Sequence, residues 1–338
     1  MEESGTGGIV NVGFTCYANS IIQAFRHYKN IVELLQEDNY TNILKENCKY
    51  NPLIKQFANM IQTLLKLTSN SSIRPSGFWH EFDSAVEDTC FEQLRSRRPH
   101  DAHEFLMFIL DALHESLARK VNMNISKVEL KSEKQKLQQK SLEAWKEQFE
   151  KVYSPLVNMF FGLHHVQIIC ECKNVTNKFE TFNTLEGTFN DNPNPRLIET
   201  LLNNLNDETI EGYNCEQCKN KTNALKKRKI WKLPQNLIII LKRFTYDGRK
   251  INTPIELGTL DLKDIYSYES PYKNNSEYSL LSLVDHHGSI SGGHYTAQGS
   301  FSCSGLNNKW FQYDDQNVNM IQNPHIGEST YILFLEAK

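Results

Sequence analysis

Residues 8–25 read GIVNVGFTCYANSIIQAF and contain the feature on which the fold prediction depends. Two glycines and an asparagine precede Cys16, and an apolar run with helical spacing follows it. A cysteine in the first turn of a helix lies at the positive end of the helix dipole, which favours the thiolate. Cys16 is therefore either a buried structural thiol or a nucleophile, and the rest of the sequence must distinguish the two.

The composition is that of an ordinary globular protein. The 338 residues are 39% hydrophobic and 23% charged, with a formal net charge of −3, which gives no support to a nucleic-acid or membrane-surface protein. No apolar run is long enough to span a bilayer. The acidic, polar N-terminus does not resemble a secretory signal, so we expect an intracellular protein, of cytoplasm or nucleus, with reduced cysteines.

The sequence pattern changes from helical to strand-like about midway along the chain. Residues 17–66 carry apolar side chains at helical spacing, and 101–118 form the strongest amphipathic pattern, with Asp101 as N-cap and Glu104 three residues later. Residues 125–150 are rich in Lys, Glu and Gln and predict a solvated helix or a mobile insertion. Short β-branched and aromatic runs follow. This order predicts an α+β fold, helical first and mainly antiparallel strand second.

Two cysteine pairs indicate a metal site. Cys215 and Cys218 form a C-x-x-C, and Cys170 and Cys172 form a C-x-C about 43 residues earlier, both in strand–turn contexts. Two hairpin turns can bring four thiolates around Zn²⁺, which binds them tetrahedrally. The C-x-C pair has less reach, because alternate residues of a strand point to the same face. We predict a structural zinc, with reduced thiols free of metal as the alternative.

Histidine and aspartate supply the other parts of a thiol acyl-transfer site. His294 lies in a glycine-rich segment with His286 upstream, and Asp314 and Asp315 follow an aromatic strand. A carboxylate can orient a histidine, and a nearby imidazolium lowers the pKa of a thiol. We therefore expect Cys16 to be populated as a thiolate near neutral pH and to attack an amide carbonyl.

The loop before Cys16 offers donors for the oxyanion that such an attack creates. The backbone N–H of Cys16 and the side-chain amide of Asn11 are the candidates. Asn19 is the alternative amide, but its place on the helix fits a structural residue better. Gly13 suits a close turn, and we expect the bulky Phe14 to pack beneath the cleft.

The chain resembles ubiquitin-specific proteases, and the resemblance covers essentially its whole length. Its motifs occur in the order typical of that family: GIVNVGFTCYANSIIQAF at the start, HDAHEFLMFILDALHE near 100, LKRF at 241–244, VDHHGSISGGHYTA near 290 and WFQYDDQNV near 310. The resemblance implies a single catalytic domain, 1–338, with the fold of a papain-like cysteine protease variant. It implies a helical thumb (about 1–155), zinc-ribbon-like β fingers (about 165–230) and an antiparallel β palm (about 156–170 and 231–338).

The resemblance also implies a role for each matching residue. His286 matches the upstream loop histidine, which is usually not the base. Cys16 matches the nucleophile, His294 the general base and acid, and Asp314 the carboxylate that orients the histidine. Asp315 matches the second acid, which assists the first, and Asn11 matches the oxyanion residue. Asp101 and Glu104 fall where the family holds arginines of the ubiquitin tail.

This sequence departs from the family pattern at three places. His100 and His103 occupy positions that are often filled by Gln. Phe14 stands where many members have Asn or Ala. In the first finger pair, Cys172 falls on the family's second cysteine, Ile169 stands where the first should be, and Cys170 is one residue out of register.

The activity implied is that of a deubiquitinating thiol isopeptidase that acts on ubiquitin and ubiquitinated proteins, with possible regulatory protein partners. Three alternatives remain open. One is a protease for a ubiquitin-like modifier, and another is a ubiquitin-binding module with a weak active site. The third is a zinc-ribbon nucleic-acid binder, suggested by the basic run at 226–229 but disfavoured by the acidic balance.

Overall fold

Helices occupy the first part of the chain and strands the second in the computed structural model, which describes residues 4–96, 98–126, 131–289, 292–301 and 309–338. The helices within these ranges are α1 (Cys16–Phe25), α2 (Lys29–Leu34), α3 (Glu37–Tyr40), α4 (Asn51–Leu64), α5 (Ser76–Val86), α6 (Ala102–Leu117), α7 (Glu133–Phe149), α8 (Pro155–Phe160) and α9 (Leu197–Asn204). The strands are β1 (Gly8–Ile9), β2 (Ser72–Ile73), β3 (Gly162–Cys170), β4 (Val175–Phe182), β5 (Leu185–Gly187), β6 (Glu208–Asn214), β7 (Lys221–Lys232), β8 (Asn236–Leu241), β9 (Tyr278–Ser289), β10 (Gly292–Phe301), β11 (Lys309–Asp314), β12 (Asn317–Ile321) and β13 (Thr330–Ala337). The predicted α+β fold is confirmed.

Two sheets carry the residues of interest. A seven-stranded sheet has the order β12-β11-β10-β9-β13-β8-β5, and a four-stranded sheet has the order β4-β3-β7-β6. The four-stranded sheet is antiparallel, but in the larger sheet β5 pairs with β8 in parallel. The strands within the bounds predicted for the palm, β8 to β13, pair antiparallel throughout, as predicted. β5 lies outside those bounds, and it pairs with β8 in parallel because a long connection, which contains α9, β6 and β7, returns the chain in the same direction.

The first helix is buried on all sides. Every residue of α1 is buried, and the helix packs between α6 and the face of β9 and β10. A helix enclosed in this way belongs to the core of the protein. Because α1 begins at Cys16, the core fixes the position of the thiol with respect to the larger sheet.

Helix α6 begins where the sequence predicts. The carboxylate of Asp101 accepts a hydrogen bond from the backbone N–H of His103 at 2.8 Å, as an N-cap does. Glu104 does not complete a capping box with it, since its carboxylate accepts a hydrogen bond from the side chain of Gln93 instead.

Strand β8 separates two hydrophobic cores. Ile238 and Ile240 pack into the core shared with the helices, whereas Leu237, Ile239 and Leu241 pack into a second core on the opposite face, which α9 covers. The alternation follows from the two-residue period of a strand. A strand covered on both faces reads as a continuous apolar run, as NLIIIL does.

The charged segment at 125–150 contains a well-defined helix. Ser132 and Gln135 form a capping box at the start of α7. The Lys232 ammonium lies 4.4 Å from the centre of the Trp145 ring, and Phe149 is buried. The helix is thus docked on one face and charged on the other, while residues 127–130 of this segment lie outside the described residues. No helix in the described ranges combines the length and apolarity needed to cross a membrane.

Candidate active site and cysteine cluster

The loop before Cys16 is organised by the side chain of Asn11. Its Oδ1 accepts hydrogen bonds from the backbone N–H of Gly13 at 3.0 Å and of Thr15 at 3.1 Å, and from the Thr15 hydroxyl at 3.2 Å. Such an arrangement is the usual way in which Asn shapes a turn. Helix α1 then begins at Cys16, as the sequence predicts. Asn11 therefore stands within the loop that presents the thiol.

Asp315 joins this loop to helix α1, which begins at Cys16. Its carboxylate accepts from Asn11 Nδ2 at 2.9 Å and from Asn19 Nδ2 at 2.8 Å. The residue has a φ of +51°, in the left-handed region, which it adopts in the turn between β11 and β12. Asn19 thus has the structural role that its position on helix α1 predicted. Sequence reasoning missed these contacts of Asp315, because its partners lie about 300 residues away.

His294 and Asp314 lie together, as the sequence indicated. Nε2 of His294 is 2.6 Å from Oδ1 of Asp314, and both side chains are nearly half exposed. One ligand atom from each of His294, Asp314 and Asp315 lies within 4.8 Å of the others. Within the described residues, Asp314 is the hydrogen-bond partner of the His294 ring, and no hydrogen bond joins that ring to the Cys16 thiol.

The Cys16 thiol is not activated in this geometry. Burial raises its pKa, and the negative charge of Asp315 raises it further, against the backbone N–H groups of Tyr295 and Tyr17. The expectation of a thiolate near neutral pH is therefore wrong for this structure. The physical reason is that desolvation disfavours the charged form, while the imidazole that would counter it pairs with Asp314 alone.

A cavity of about 230 Å³ opens beside the thiol. Its walls come from the helical part of the chain and from the larger sheet. The lining residues are Phe14, Cys16, Tyr17, Pro99, His100, Asp101, Phe244, His286, Ser289, Gly292, Gly293 and Tyr295.

Phe14 does not pack beneath this cleft. Its side chain is 59% exposed, and its φ is +53°, a left-handed conformation that is unusual for a bulky residue. The expectation of a buried Phe14 is therefore wrong. The physical reason is that Gly13, with a φ of +114°, and the hydrogen bonds of Asn11 direct the chain so that the next side chain points outward.

Within the glycine-rich segment, Gly293 of β10 lies close to the neighbouring strand β9. A Cβ on Gly293 would lie 2.3 Å from the carbonyl oxygen of His287 and 2.4 Å from Nε2 of His286, so only glycine fits. Residues 290 and 291 of this segment lie outside the described residues.

His286 is buried, lines the cavity and has a lowered pKa. Burial, aided by the positive charge of Lys250, lowers its pKa to about 4. The imidazole is therefore neutral at physiological pH and is a weak base.

The two carboxylates expected to hold the ubiquitin tail have partners within the chain. Asp101 accepts the hydroxyl of Tyr331 on both oxygens, at 2.8 and 2.9 Å, in addition to capping α6. Glu104 accepts from Gln93. Asp101 lines the cavity beside Cys16.

The four cysteines meet at the tip of the smaller sheet. The Sγ atoms of Cys170 and Cys218 are 3.9 Å apart and those of Cys172 and Cys215 are 3.7 Å apart, and all four lie within 4.8 Å of one another. The limited reach expected of the C-x-C pair does not apply, because β3 ends at Cys170 and Cys172 lies in the turn beyond.

Neighbouring groups donate hydrogen bonds to two of the four thiols. Hydrogen bonds from the backbone N–H of Cys218 and of Gln217 lower the pKa of Cys215 to about 6, against burial. The Thr222 hydroxyl, 3.3 Å away, lowers the pKa of Cys170. A thiolate is the form that binds a metal, so the cluster fits a four-cysteine zinc site in its ligand set and spacing.

Two of the four cations in the basic run at 226–229 are paired with acids. The ammonium of Lys226 lies 3.6 Å from Glu208 and that of Lys227 lies 3.4 Å from Asp207. Arg228 donates to the carbonyl oxygen of Asn204 at 3.0 Å. A site for phosphates needs cations that are free to meet them, so these contacts weigh against the nucleic-acid alternative.

Comparison with known proteins assigns the chain to a family. The family described as "Ubiquitin carboxyl-terminal hydrolase" matches residues 7–335, and the chain belongs to it. The chain is 25% identical over 343 residues to ubiquitin carboxyl-terminal hydrolase 2 of Bos taurus, covering 98% of this chain and 55% of that protein. It is 28% identical to ubiquitin carboxyl-terminal hydrolase 2 of Gallus gallus, covering 98% and 93%. The chain thus spans about half the length of several relatives that it matches.

Solved structures show the same fold. The SAGA DUB module Ubp8/Sgf11/Sus1/Sgf73 bound to monoubiquitin contains a chain with a TM-score of 0.75 and 25% identity, covering 100% of this chain and 70% of that one. The same module bound to ubiquitin aldehyde gives 0.73 and 24%, with the same coverage. The fold is therefore the papain-like fold of these deubiquitinases.

Proposed function

We propose that this protein is a thiol-dependent deubiquitinase that hydrolyses the bond after the C-terminal glycine of ubiquitin in conjugates. The observation that carries the proposal is the placement of Cys16 at the start of a buried helix, in a cavity that is also lined by Gly292, Gly293 and Tyr295 of β10. The same strand carries His294, which pairs with Asp314. Family membership and the ubiquitin-bound structural neighbours support the choice of substrate.

The proposed chemistry begins with His294 accepting the Cys16 proton. Because no hydrogen bond joins the two in the described residues, the His294 ring must approach the thiol when substrate binds. Asp314 keeps Nε2 occupied and leaves Nδ1 for this transfer. The thiolate attacks the terminal carbonyl of ubiquitin, and the new C–S bond places a negative charge on the carbonyl oxygen.

The second half of the reaction uses the same groups. The backbone N–H of Cys16 and the Asn11 amide, which retains one N–H beyond its bond to Asp315, would stabilise the oxyanion. His294 donates its proton to the departing lysine amine as the C–N bond breaks. It then takes a proton from water, whose oxygen attacks the thioester and releases the carboxylate of ubiquitin together with the thiol.

The binding of ubiquitin would divide between the cleft and the smaller sheet. A tail that ends in two glycines would enter the cavity that Cys16, Gly292 and Gly293 line. Asp101 and Glu104 would accept the arginines of the tail. We infer that the chain acts as one catalytic domain, 1–338, with thumb, fingers and palm as the resemblance implies, and that regulatory proteins bind its surface.

Zinc is proposed as a structural component. Cys170, Cys172, Cys215 and Cys218 would all be ligands, which leaves no position for a reacting water. The metal would hold the two turns at the tip of the smaller sheet together and would take no part in the hydrolysis.

A ubiquitin probe with a reactive C-terminal warhead tests the proposal. The wild-type protein should form a covalent adduct at Cys16, and Cys16→Ala should form none while it still binds ubiquitin. Cys90→Ala, which removes an exposed thiol elsewhere, should leave labelling unchanged. Wild-type protein that binds ubiquitin without labelling would support the binding-module alternative. Faster labelling by a probe built on a ubiquitin-like modifier would redirect the substrate assignment.

A further inference from the structure

Three potential metal ligands converge at the candidate active site, away from the cysteine cluster. One ligand atom from each of His294, Asp314 and Asp315 lies within 4.8 Å of the others, and all three residues are partly exposed. An imidazole and two carboxylates are ligands that Zn²⁺ accepts, and a water molecule can complete a tetrahedral set. The side chains of His294 and Asp314 are 42% and 48% exposed, so a hydrated ion can reach them from solvent.

The spacing of these atoms suits such an ion. Bonds of about 2.1 Å from Zn²⁺ to nitrogen and oxygen place the ligand atoms of a tetrahedron about 3.4 Å apart. Nε2 of His294 and Oδ1 of Asp314, which are 2.6 Å apart, reach that separation when the pair opens by about 0.8 Å. Asp315 can keep its hydrogen bonds from Asn11 and Asn19, because each carboxylate oxygen has a second lone pair.

The charge of this group favours a cation. Asp314 and Asp315 are adjacent in the chain, and in the described ranges no lysine or arginine forms an ion pair with either of them. The hydrogen bonds to Asp315 come from neutral amides, those of Asn11 and Asn19. Two carboxylates therefore face one imidazole, and a divalent ion would balance their charge.

We propose that His294, Asp314 and Asp315 form a second metal site, which binds Zn²⁺ and inhibits the protein reversibly. The inhibition rests on the proposed function, in which Nδ1 of His294 takes the proton of Cys16. A neutral imidazole has one N–H group and one nitrogen with a free lone pair. When the lone pair of Nε2 binds the ion, the proton lies on Nδ1, which then has no lone pair for the thiol proton. Loss of the ion returns the N–H to Nε2, where Asp314 accepts it.

Binding is tested with Co²⁺, a spectroscopic substitute for Zn²⁺, added to Cys16→Ala protein. About one Co²⁺ per chain should bind with the weak visible absorption of nitrogen and oxygen ligands, without sulfur-to-metal charge transfer. Asp315→Asn in this background should weaken binding about 10-fold or more, because even a group that only supports a metal ligand contributes that much. His294→Gln should abolish it. Asp264→Asn, which neutralises an exposed acid elsewhere, should bind Co²⁺ as the parent does, and thermal unfolding checks that each variant is folded.

Hydrolysis of a fluorogenic ubiquitin substrate by the wild-type protein gives the second readout. Zn²⁺ should inhibit it, dilution into metal-free buffer should restore it, and Mg²⁺ at the same concentration should have no effect, because Mg²⁺ prefers oxygen ligands. Co²⁺ binding that is lost in Cys16→Ala, or that survives in His294→Gln, would overturn the inference. Active protein that Zn²⁺ does not inhibit would also overturn it. Protein that binds Co²⁺ through His294 but hydrolyses no ubiquitin substrate would refute the proposed function and leave the metal site standing.

Discussion

Replacing Asp315 by asparagine tests the contact that joins the loop before Cys16 to helix α1. The carboxylate accepts one hydrogen bond from Asn11 and one from Asn19. An asparagine of the same shape has one acceptor oxygen and one NH₂ group, so one partner must face a donor. Asn19 is 2% exposed whereas Asn11 is exposed to solvent. Leaving the buried Asn19 amide without an acceptor therefore costs more free energy than leaving the Asn11 amide without one. The new side chain should keep Asn19 and release Asn11.

The magnitude follows from the bond that is lost. A hydrogen bond to a charged group contributes about 1.5–3 kcal/mol, and the exposure of Asn11 places this one toward the lower end. If Asn11 acts on the oxyanion, the loss appears in the transition state, and each 1.36 kcal/mol is tenfold in rate. We expect kcat/KM for a fluorogenic ubiquitin substrate to fall about 10-fold or more, and the free energy of unfolding to fall by no more than the about 1.5 kcal/mol that this hydrogen bond contributes.

The reactivity of the thiol should change in the opposite direction. The charge of Asp315 raises the pKa of Cys16, so its removal lowers that pKa and increases the thiolate fraction at neutral pH. Alkylation of Cys16 by iodoacetamide should therefore become faster in Asp315→Asn while hydrolysis becomes slower. Asp264→Asn, which neutralises an exposed acid in another part of the chain, should change neither rate. Hydrolysis at the wild-type rate, or slower alkylation, would refute this account of Asp315.

Three other measurements examine the site and the fold. Asp314→Asn should lower kcat by about 1000-fold, far more than Asp315→Asn, because the new amide no longer fixes the tautomer of His294. A larger loss in Asp315→Asn would mean that the two aspartates have the opposite roles. Metal analysis should find about one Zn²⁺ per chain, and Cys218→Ser should lose it and lower the melting temperature, whereas a folded wild-type protein without metal would contradict the four-thiolate site. Burial lowers the pKa of His286 to about 4 and those of His27 and His164 to about 3, so below the unfolded value of about 6.5 the unfolded chain binds protons that the folded chain does not. The free energy of unfolding should thus fall as the pH falls from about 6.5 toward 4, and His164→Asn should flatten that slope in denaturant titrations; a slope unchanged by the variant would assign the effect to other groups.

Local signals were sufficient for much of the candidate site. The start of α1 at Cys16 and the cap at Asp101 follow from residue types and spacing within a few positions. The histidine and aspartate of the site could be recognised because each lies at a distinctive place, a glycine-rich segment and the end of an aromatic strand. The C-x-x-C could be recognised from its spacing in the same way. The two thiols of the C-x-C can both reach the cluster because a turn follows the end of the strand.

Only the tertiary structure decided how these parts act on one another. Asp315 meets Asn11 and Asn19 across about 300 residues, and no local pattern encodes such a pairing. The same is true of the pKa of Cys16, which burial raises although its helix position favours the thiolate. The exposure of Phe14 likewise depends on a φ angle that its own identity disfavours. The sequence by itself thus determined which residue types stand at the candidate site, because local chemistry selects them. The fold determined their charge states and their contacts, because desolvation and long-range hydrogen bonds exist only once the chain has packed.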